Sequence, residues 1–145
     1  MSRQTALMPG NEDKVGYWLT PPDLMAELQA EFDFDFDACP YPRPAGFDGL
    51  KEPWGKRTWC NPPWGQRKQK VRGVMAWVRK AIAENVLGCT IVLILSASQL
   101  EHATDPLLAA GAEARLIPGV RWTAPDGRTN PRAHPCVLFI LRPKL

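Results

Sequence analysis

Metal-site spacing is missing from this sequence. Its four cysteines, Cys39, Cys60, Cys89 and Cys136, form no C-x-x-C pair; of the two histidines, His102 lies near none of them and His134 near Cys136 alone. The separations that build a tetrahedral zinc site are therefore absent, and no metal is expected. Three of the cysteines sit in apolar runs, where a free thiol packs as a small hydrophobe. No window approaches the ~18 apolar residues of a membrane span. The opening MSRQTALMPGNEDK has no apolar core of the kind a secretory signal carries. The expectation is a cytoplasmic protein with no membrane partner, with residues 1–16 a flexible lead-in and 17–145 a single domain. Ser96 and Ser98, in LSAS, lack the glycines of G-x-S-x-G, so a hydrolase elbow is excluded. Repeats and low-complexity tracts are absent as well. A chain of 145 residues suffices for one core, and a monomer is the default.

What is present is unevenly charged. Residues 1–48 hold nine acids (Glu12, Asp13, Asp23, Glu27, Glu31, Asp33, Asp35, Asp37, Asp48) against three bases, and the rest holds fifteen bases against six acids. Two explanations fit equally well. One is an acidic pocket for a cationic or hydroxyl-bearing ligand joined to a basic face; the other is surface charge without function.

Periodicity predicts the elements. TPPDLMAELQAEF reads as a helix with Thr20 as N-cap, two prolines in its first turn, and Leu24, Met25, Leu28 and Phe32 on one face. FDFDFDAC alternates with the period of a strand, phenylalanines to one side and aspartates to the other, with Asp37 at its end. The Pro- and Gly-rich stretch after it is a loop. RTWC is a short strand, and WGQRKQKVRG a basic loop. In VMAWVRKAIAENV, residues Val74, Trp77, Val78, Ala81 and Ile82 follow the helical stripe, which makes Trp77 a core residue. Trp54 and Trp59 are read as packing residues too. TIVLIL is continuous and apolar, as in a strand covered on both faces. Asp105 and Pro106 can open another short helix, and EARLI and CVLFIL are strands flanking a basic, Pro-rich excursion from Val120 to Pro135. The order from Arg57 onward, strand, helix, strand, helix, strand, strand, predicts an α/β fold with a mostly parallel sheet and a C-terminal antiparallel hairpin. Ligands of such sheets bind beyond the carboxyl ends of the strands, where Asp37 and the tetrapeptide Asn61-Pro62-Pro63-Trp64 both fall.

That tetrapeptide has a definite chemistry. Asn61 offers a carbonyl oxygen and two N–H donors. Pro62 and Pro63 have locked φ angles and no N–H, so the loop shows carbonyl acceptors without competing donors. Trp64 adds a π face. A planar ring bearing an exocyclic amine suits this rim, stacked on Trp64 and donating to Asn61 and to the Pro62 carbonyl. Two acceptors draw the amine toward tetrahedral geometry and free its lone pair for attack. Asn is neutral, so its contribution is positioning and polarisation rather than proton abstraction. A rigid turn beside a core Trp is the bland alternative, and the strand before and the loop and helix after favour the functional one.

NPPW resembles the (Asp/Asn)-Pro-Pro-aromatic motif of S-adenosylmethionine-dependent amino-methyltransferases. The ordered set YWLTPPDL, FDFDACP, FDGLKEPW, WCNPPWG, a Trp-centred helix with RKA, and TIVLILSAS is similar to the phage-type, Dam-like DNA N-6-adenine methyltransferases, over nearly the whole chain from Tyr17. The resemblance implies a compact Rossmann-like methyltransferase sheet, S-adenosylmethionine as methyl donor, and adenine N6 in double-stranded DNA as acceptor, in the cytoplasm of a bacterium carrying a phage or prophage. By position it implies that Asn61, Pro62, Pro63 and Trp64 are the catalytic loop. Asp37 and Ala38 match the cofactor motif after the first strand, Trp18, Thr20 and Pro21 a segment closing over the cofactor, and Asp48 an acidic position near its adenosine.

The chain also departs from that family. DACPYPRPAG stands where a Gly-rich turn is usual, and only the 17 residues Pro40–Lys56 separate the first strand from the motif strand. The ribose-binding acid of a second strand is thus unassigned. Arg67, Lys68, Lys70 and Arg72 follow the catalytic loop directly and suit phosphate contacts, as do Arg121, Arg128 and Arg132 around the C-terminal excursion. A base within a duplex reaches Trp64 only when flipped out. Two other functions stay open: methylation of RNA adenine or protein glutamine, since the loop reads a planar amino group and not the polymer, and a non-catalytic nucleic-acid-binding relic.

Overall fold

The computed structural model describes residues 18–63 and 73–144. Trp64, Arg67, Lys68, Lys70 and Arg72, and the lead-in, lie outside the described residues. The described chain is α/β: α1 (Pro22–Phe32), β1 (Phe36–Asp37), β2 (Arg57–Cys60), α2 (Val74–Val86), β3 (Thr90–Ser96), a 3-10 turn (Ala97–Gln99), α3 (Leu100–Ala109), β4 (Glu113–Val120) and β5 (His134–Leu141). The strands form one open sheet in the order β1-β2-β3-β5-β4. It is mixed: β1, β2 and β3 run parallel, and β5 is antiparallel to both its neighbours, β3 and β4.

Apolar cores cover both faces of this sheet. Strand β3 sends Ile91, Leu93 and Leu95 to one side, where they meet Trp77, Val78 and Ala81 of α2 and Ala103 and Leu107 of α3. Val92 and Ile94 point the other way, onto Leu28 and Phe32 of α1 and onto Val120 and Trp122. Strand β5 divides likewise, Phe139 and Leu141 against Leu138 and Ile140. This is why TIVLIL and CVLFIL show no polar alternation: neither face is wet. The helical stripes of α1 and α2 face the sheet as their spacing predicts.

Three local expectations need correction. The alternating FDFDFD run is a strand over Phe36 and Asp37 only. Asp33 adopts φ 53° as the left-handed residue closing α1, which breaks the pleat. The phenylalanines do not all share a side. Phe34 stacks on Phe32 and meets Trp59 at a tilt, whereas Phe36 packs near Phe47 in the opposite core. Thr20 is not the N-cap: Pro21 holds that position, and no side chain caps the helix. Helix α3 begins at Leu100, so Pro106 lies inside it rather than at its start. Ser96 and Gln99 supply the start signal, a reciprocal capping box on the 3-10 turn that leads into the helix.

The loop between β1 and β2 is held closely. Trp54 donates from its indole to Gly49 O at 2.7 Å and from its backbone to the buried Glu84 carboxylate at 3.0 Å. A Cβ on Gly49 would sit 1.9 Å from Ala38 O and 3.0 Å from the Trp77 ring. The first obstacle is backbone, so it cannot yield by rotating. Gly49→Ala is expected to cost about 3 kcal/mol, at the upper end of overpacking effects, read as a lower urea midpoint at unchanged m-value. A midpoint within error of wild type would show that this loop can move away from β1.

Candidate functional site

Parallel pairing brings two strand ends together. Asp37 pairs with Trp59 across β1 and β2, so Cys39 and Asn61, each two residues beyond that pair, open on the same side. There the chain leaves a cavity of about 180 Å³, lined by Trp18, Thr20, Asp37, Tyr41, Asn61 and Pro62 among others. It lies beyond the carboxyl ends of parallel strands, where open α/β sheets place ligands.

Asn61 is held in one orientation. Its Nδ2 donates to Trp18 O at 2.8 Å and to Thr20 Oγ1 at 3.3 Å. A main-chain carbonyl only accepts, so the first bond fixes which edge of the amide is nitrogen. No described residue donates to Asn61 Oδ1 or to the Pro62 carbonyl. The rim thus has two acceptors without a described donor, on a loop whose prolines contribute none. Thr20 serves here through its hydroxyl, which explains its absence from the helix cap.

The three aspartates of the alternating run are sorted by one arginine. Arg57 donates from its backbone to Asp35 Oδ1 at 3.0 Å and from Nε to Asp33 O at 2.6 Å, and its guanidinium lies 3.7 and 3.6 Å from the Asp33 and Asp35 carboxylates. Among the described residues Asp37 has no such ion-pair partner. Burial pushes its pKa up to about 6, opposed by the hydrogen bond that Cys39 N donates to Oδ1 at 3.0 Å. A carboxyl beside a cavity, raised by desolvation rather than neutralised by a cation, is poised for a ligand that supplies the missing charge. The described acids of the first third therefore do not converge on one pocket. Glu31 likewise pairs with Arg115, through both oxygens at 2.8 and 3.1 Å, and among the described acids only Asp37 lines the cavity.

The remaining candidates are distributed as follows. Trp18, Thr20, Asp37, Asn61, Pro62 and Pro63 share the cavity. Ala38 is fully buried behind it, donating to Trp59 O. Pro21 lends its carbonyl to Met25 N in the first turn of α1. Asp48 is not in the lining; its carboxylate accepts from Leu50 N at 2.9 Å and its carbonyl from Lys51 and Glu52, which are turn bonds. Of the excursion's arginines, Arg121 donates to Pro131 O at 2.6 Å, Arg128 is paired with Asp126 at 2.8 Å, and Arg132 is exposed. Cys39, Tyr41 and Trp59 also line the cavity, which the sequence did not signal. Trp59 carries both roles, buried against α1 and reaching the cavity wall. Among the described residues no group of three His, Cys, Asp or Glu side chains is placed to hold a metal, and no described helix is long and apolar enough to cross a membrane.

No protein-family model matches this chain, and no curated protein is significantly similar to it.

Proposed function

We propose that this chain transfers a methyl group from S-adenosylmethionine to the N6 amino group of adenine in DNA, on a Rossmann-like methyltransferase sheet. The observation that carries the proposal is the Asn61 amide, tied down through its nitrogen, with no described donor on its carbonyl oxygen, in the cavity that Asp37 also lines. An acceptor presented this way suits an exocyclic amine and repels a carbonyl, so adenine fits the rim and its oxo analogue does not.

The residues around the cavity fit the donor. Asp37 offers a carboxylate to a cation, and Trp18, Tyr41 and Trp59 offer aromatic faces. When bound, S-adenosylmethionine supplies an electrophilic methyl on a sulfonium and keeps the electron pair as a thioether. Asn61 Oδ1 and the Pro62 carbonyl each accept one N6 hydrogen. This withdraws the nitrogen lone pair from the purine ring and aims it. The amine gains the methyl group, and one of its two protons leaves to solvent. No general base is required, because the nitrogen's acidity rises steeply once it is alkylated. Trp64 stacks on the extruded base, and the basic residues Arg67, Lys68, Lys70 and Arg72 neutralise phosphates beside it.

The test is a transfer assay with labelled donor and unmodified duplex, followed by nucleoside analysis. N6-methyladenine is the expected product. Label in RNA or in protein glutamine alone would redirect the acceptor, and no label together with no thermal shift at millimolar donor would leave a nucleic-acid-binding relic. Trp64→Ala is expected to weaken acceptor use by ~1–3 kcal/mol, the worth of one base–aromatic stack, with donor affinity unchanged. An equal rate on an adenine-containing oligonucleotide would remove Trp64 from the site.

A further inference from the structure

We infer that residues 18–20 are a positioning strap and Thr20 a positioning residue for Asn61, and that the strap is set by the excursion between β4 and β5. The inference rests on the methyltransferase reading for its kinetic consequence, but not for its structural one.

An asparagine amide can turn over about its last torsion at little intrinsic cost, because that torsion is broad and two-fold. Turned over, Asn61 would face the cavity with an N–H₂, and an incoming amino group would meet a donor instead of an acceptor. Trp18 O blocks this, since a carbonyl facing Oδ1 would be two acceptors in contact. Thr20 Oγ1 takes the second hydrogen and completes the hold.

The strap does not stand alone. Leu19 N donates to Thr123 O at 2.7 Å, and Thr123 N returns a bond to Leu19 O at 3.2 Å. Thr123 also bridges Thr129, with Ala124 N bonded to Arg128 O and Asn130 N to Trp122 O at 2.8 Å each. The strap is therefore bridged to one side of a small turn whose two sides carry Arg121, Arg128 and the approach to Arg132. Trp122 at its base is 1% exposed, which anchors the turn to the core under α1. The segment proposed to touch nucleic acid and the amide proposed to touch the target base are thus joined through two main-chain hydrogen bonds and one residue, Leu19.

Hydrogen exchange of the Asn61 side-chain amide tests this directly, with the Asn85 amide, which donates to Cys89 O at 3.0 Å, as internal reference. In the wild-type chain both Asn61 Nδ2 hydrogens are expected to be protected. Thr20→Val should free one of them, leave Asn85 unchanged, and lower kcat roughly five- to tenfold, the effect of losing one hydrogen bond, at constant KM for S-adenosylmethionine. Thr20→Ser should restore both readouts. Thr123→Pro removes one of the two bonds to Leu19 without touching the cavity, and should speed exchange at Asn61 several-fold. Exchange at the free-amide rate in the wild type, or no change at Asn61 in Thr20→Val, overturns the strap. Unchanged exchange in folded Thr123→Pro overturns its link to the excursion, and if that variant does not fold, Leu19→Pro, which deletes the shorter bond, takes its place. A wild type that transfers no methyl group counts against the function, and the exchange results still decide the strap.

Discussion

Asn61→Ala is expected to lower methyl transfer by 10²-fold or more while leaving donor affinity within about twofold of wild type. The size follows from removing a preorganised polar group that acts on the reacting atom, which costs enzymes about 10²–10³ in kcat. The selectivity follows from position: the alanine variant keeps Asp37 and the aromatic lining, and deletes only one acceptor and the tie to the strap. Asn61→Asp is the sharper companion. An aspartate retains an acceptor toward the cavity, and the family motif resembled by NPPW admits it. In this chain, however, a carboxylate would place a second oxygen against Trp18 O, where a donor now stands at 2.8 Å. The variant is expected to lose both activity and stability, the latter by about 1 kcal/mol for the mismatched, partly buried pair. Single-turnover transfer, donor titration and a urea melt on the two variants check all three statements. Full turnover in Asn61→Ala would end the role of the amide, and a fully stable Asn61→Asp would show that the strap is looser than its hydrogen bonds suggest.

How far such expectations could be drawn from sequence depended on whether a residue's role was local. The stripe of α2 and the apolar runs of β3 and β5 are patterns of burial, and burial is what periodicity encodes, so their places were legible. So was the position of Asn61 and Asp37 at strand ends. The alternating FDFDFD stretch misled because its period is correct for a strand, but only two of its residues have a partner to pair with on β2. Arg57 draws Asp33 and Asp35 aside, and that contact spans more than twenty residues of chain. Thr20 misled for the same reason. A threonine before Pro-Pro is a good helix cap by local chemistry, and its true partner lies 41 residues away. Pro106 looked like a helix start because proline is tolerated there, whereas the capping box ten residues earlier carried the signal. Cys39 and Tyr41 gave no signal at all: they reach the cavity through the path of a Pro-rich loop that has no period to read.

Asp37→Asn is expected to stabilise the protein at pH 8 and to weaken donor binding in the same stroke. Burial holds the Asp37 carboxyl at a pKa of about 6, against an ordinary value of 3.8. Below pH ~3.8 folded and unfolded chains both carry the proton, and the group is neutral with respect to stability. Between the two values the unfolded chain ionises first, so stability falls as pH rises through about 6, and above that the loss is constant. A shift of this size corresponds to at most about 3 kcal/mol. Asparagine keeps an oxygen for the Cys39 N–H and never ionises, so it escapes the loss. The melting temperature should therefore rise by roughly 5–10 °C at pH 8 in a chain of this size, and hardly at pH 3.5. Such a residue persists only if its charge serves something else. A cationic ligand in the cavity would supply the missing partner, lower the carboxyl pKa on binding, and so bind more tightly as pH rises through about 6 in the wild type but not in Asp37→Asn. Melts at the two pH values and donor titrations from pH 5 to 8 separate these consequences. A pH-independent gain in stability would mean that the carboxylate is not destabilised by its surroundings. A stabilised variant with undiminished, pH-independent affinity would remove Asp37 from the ligand site.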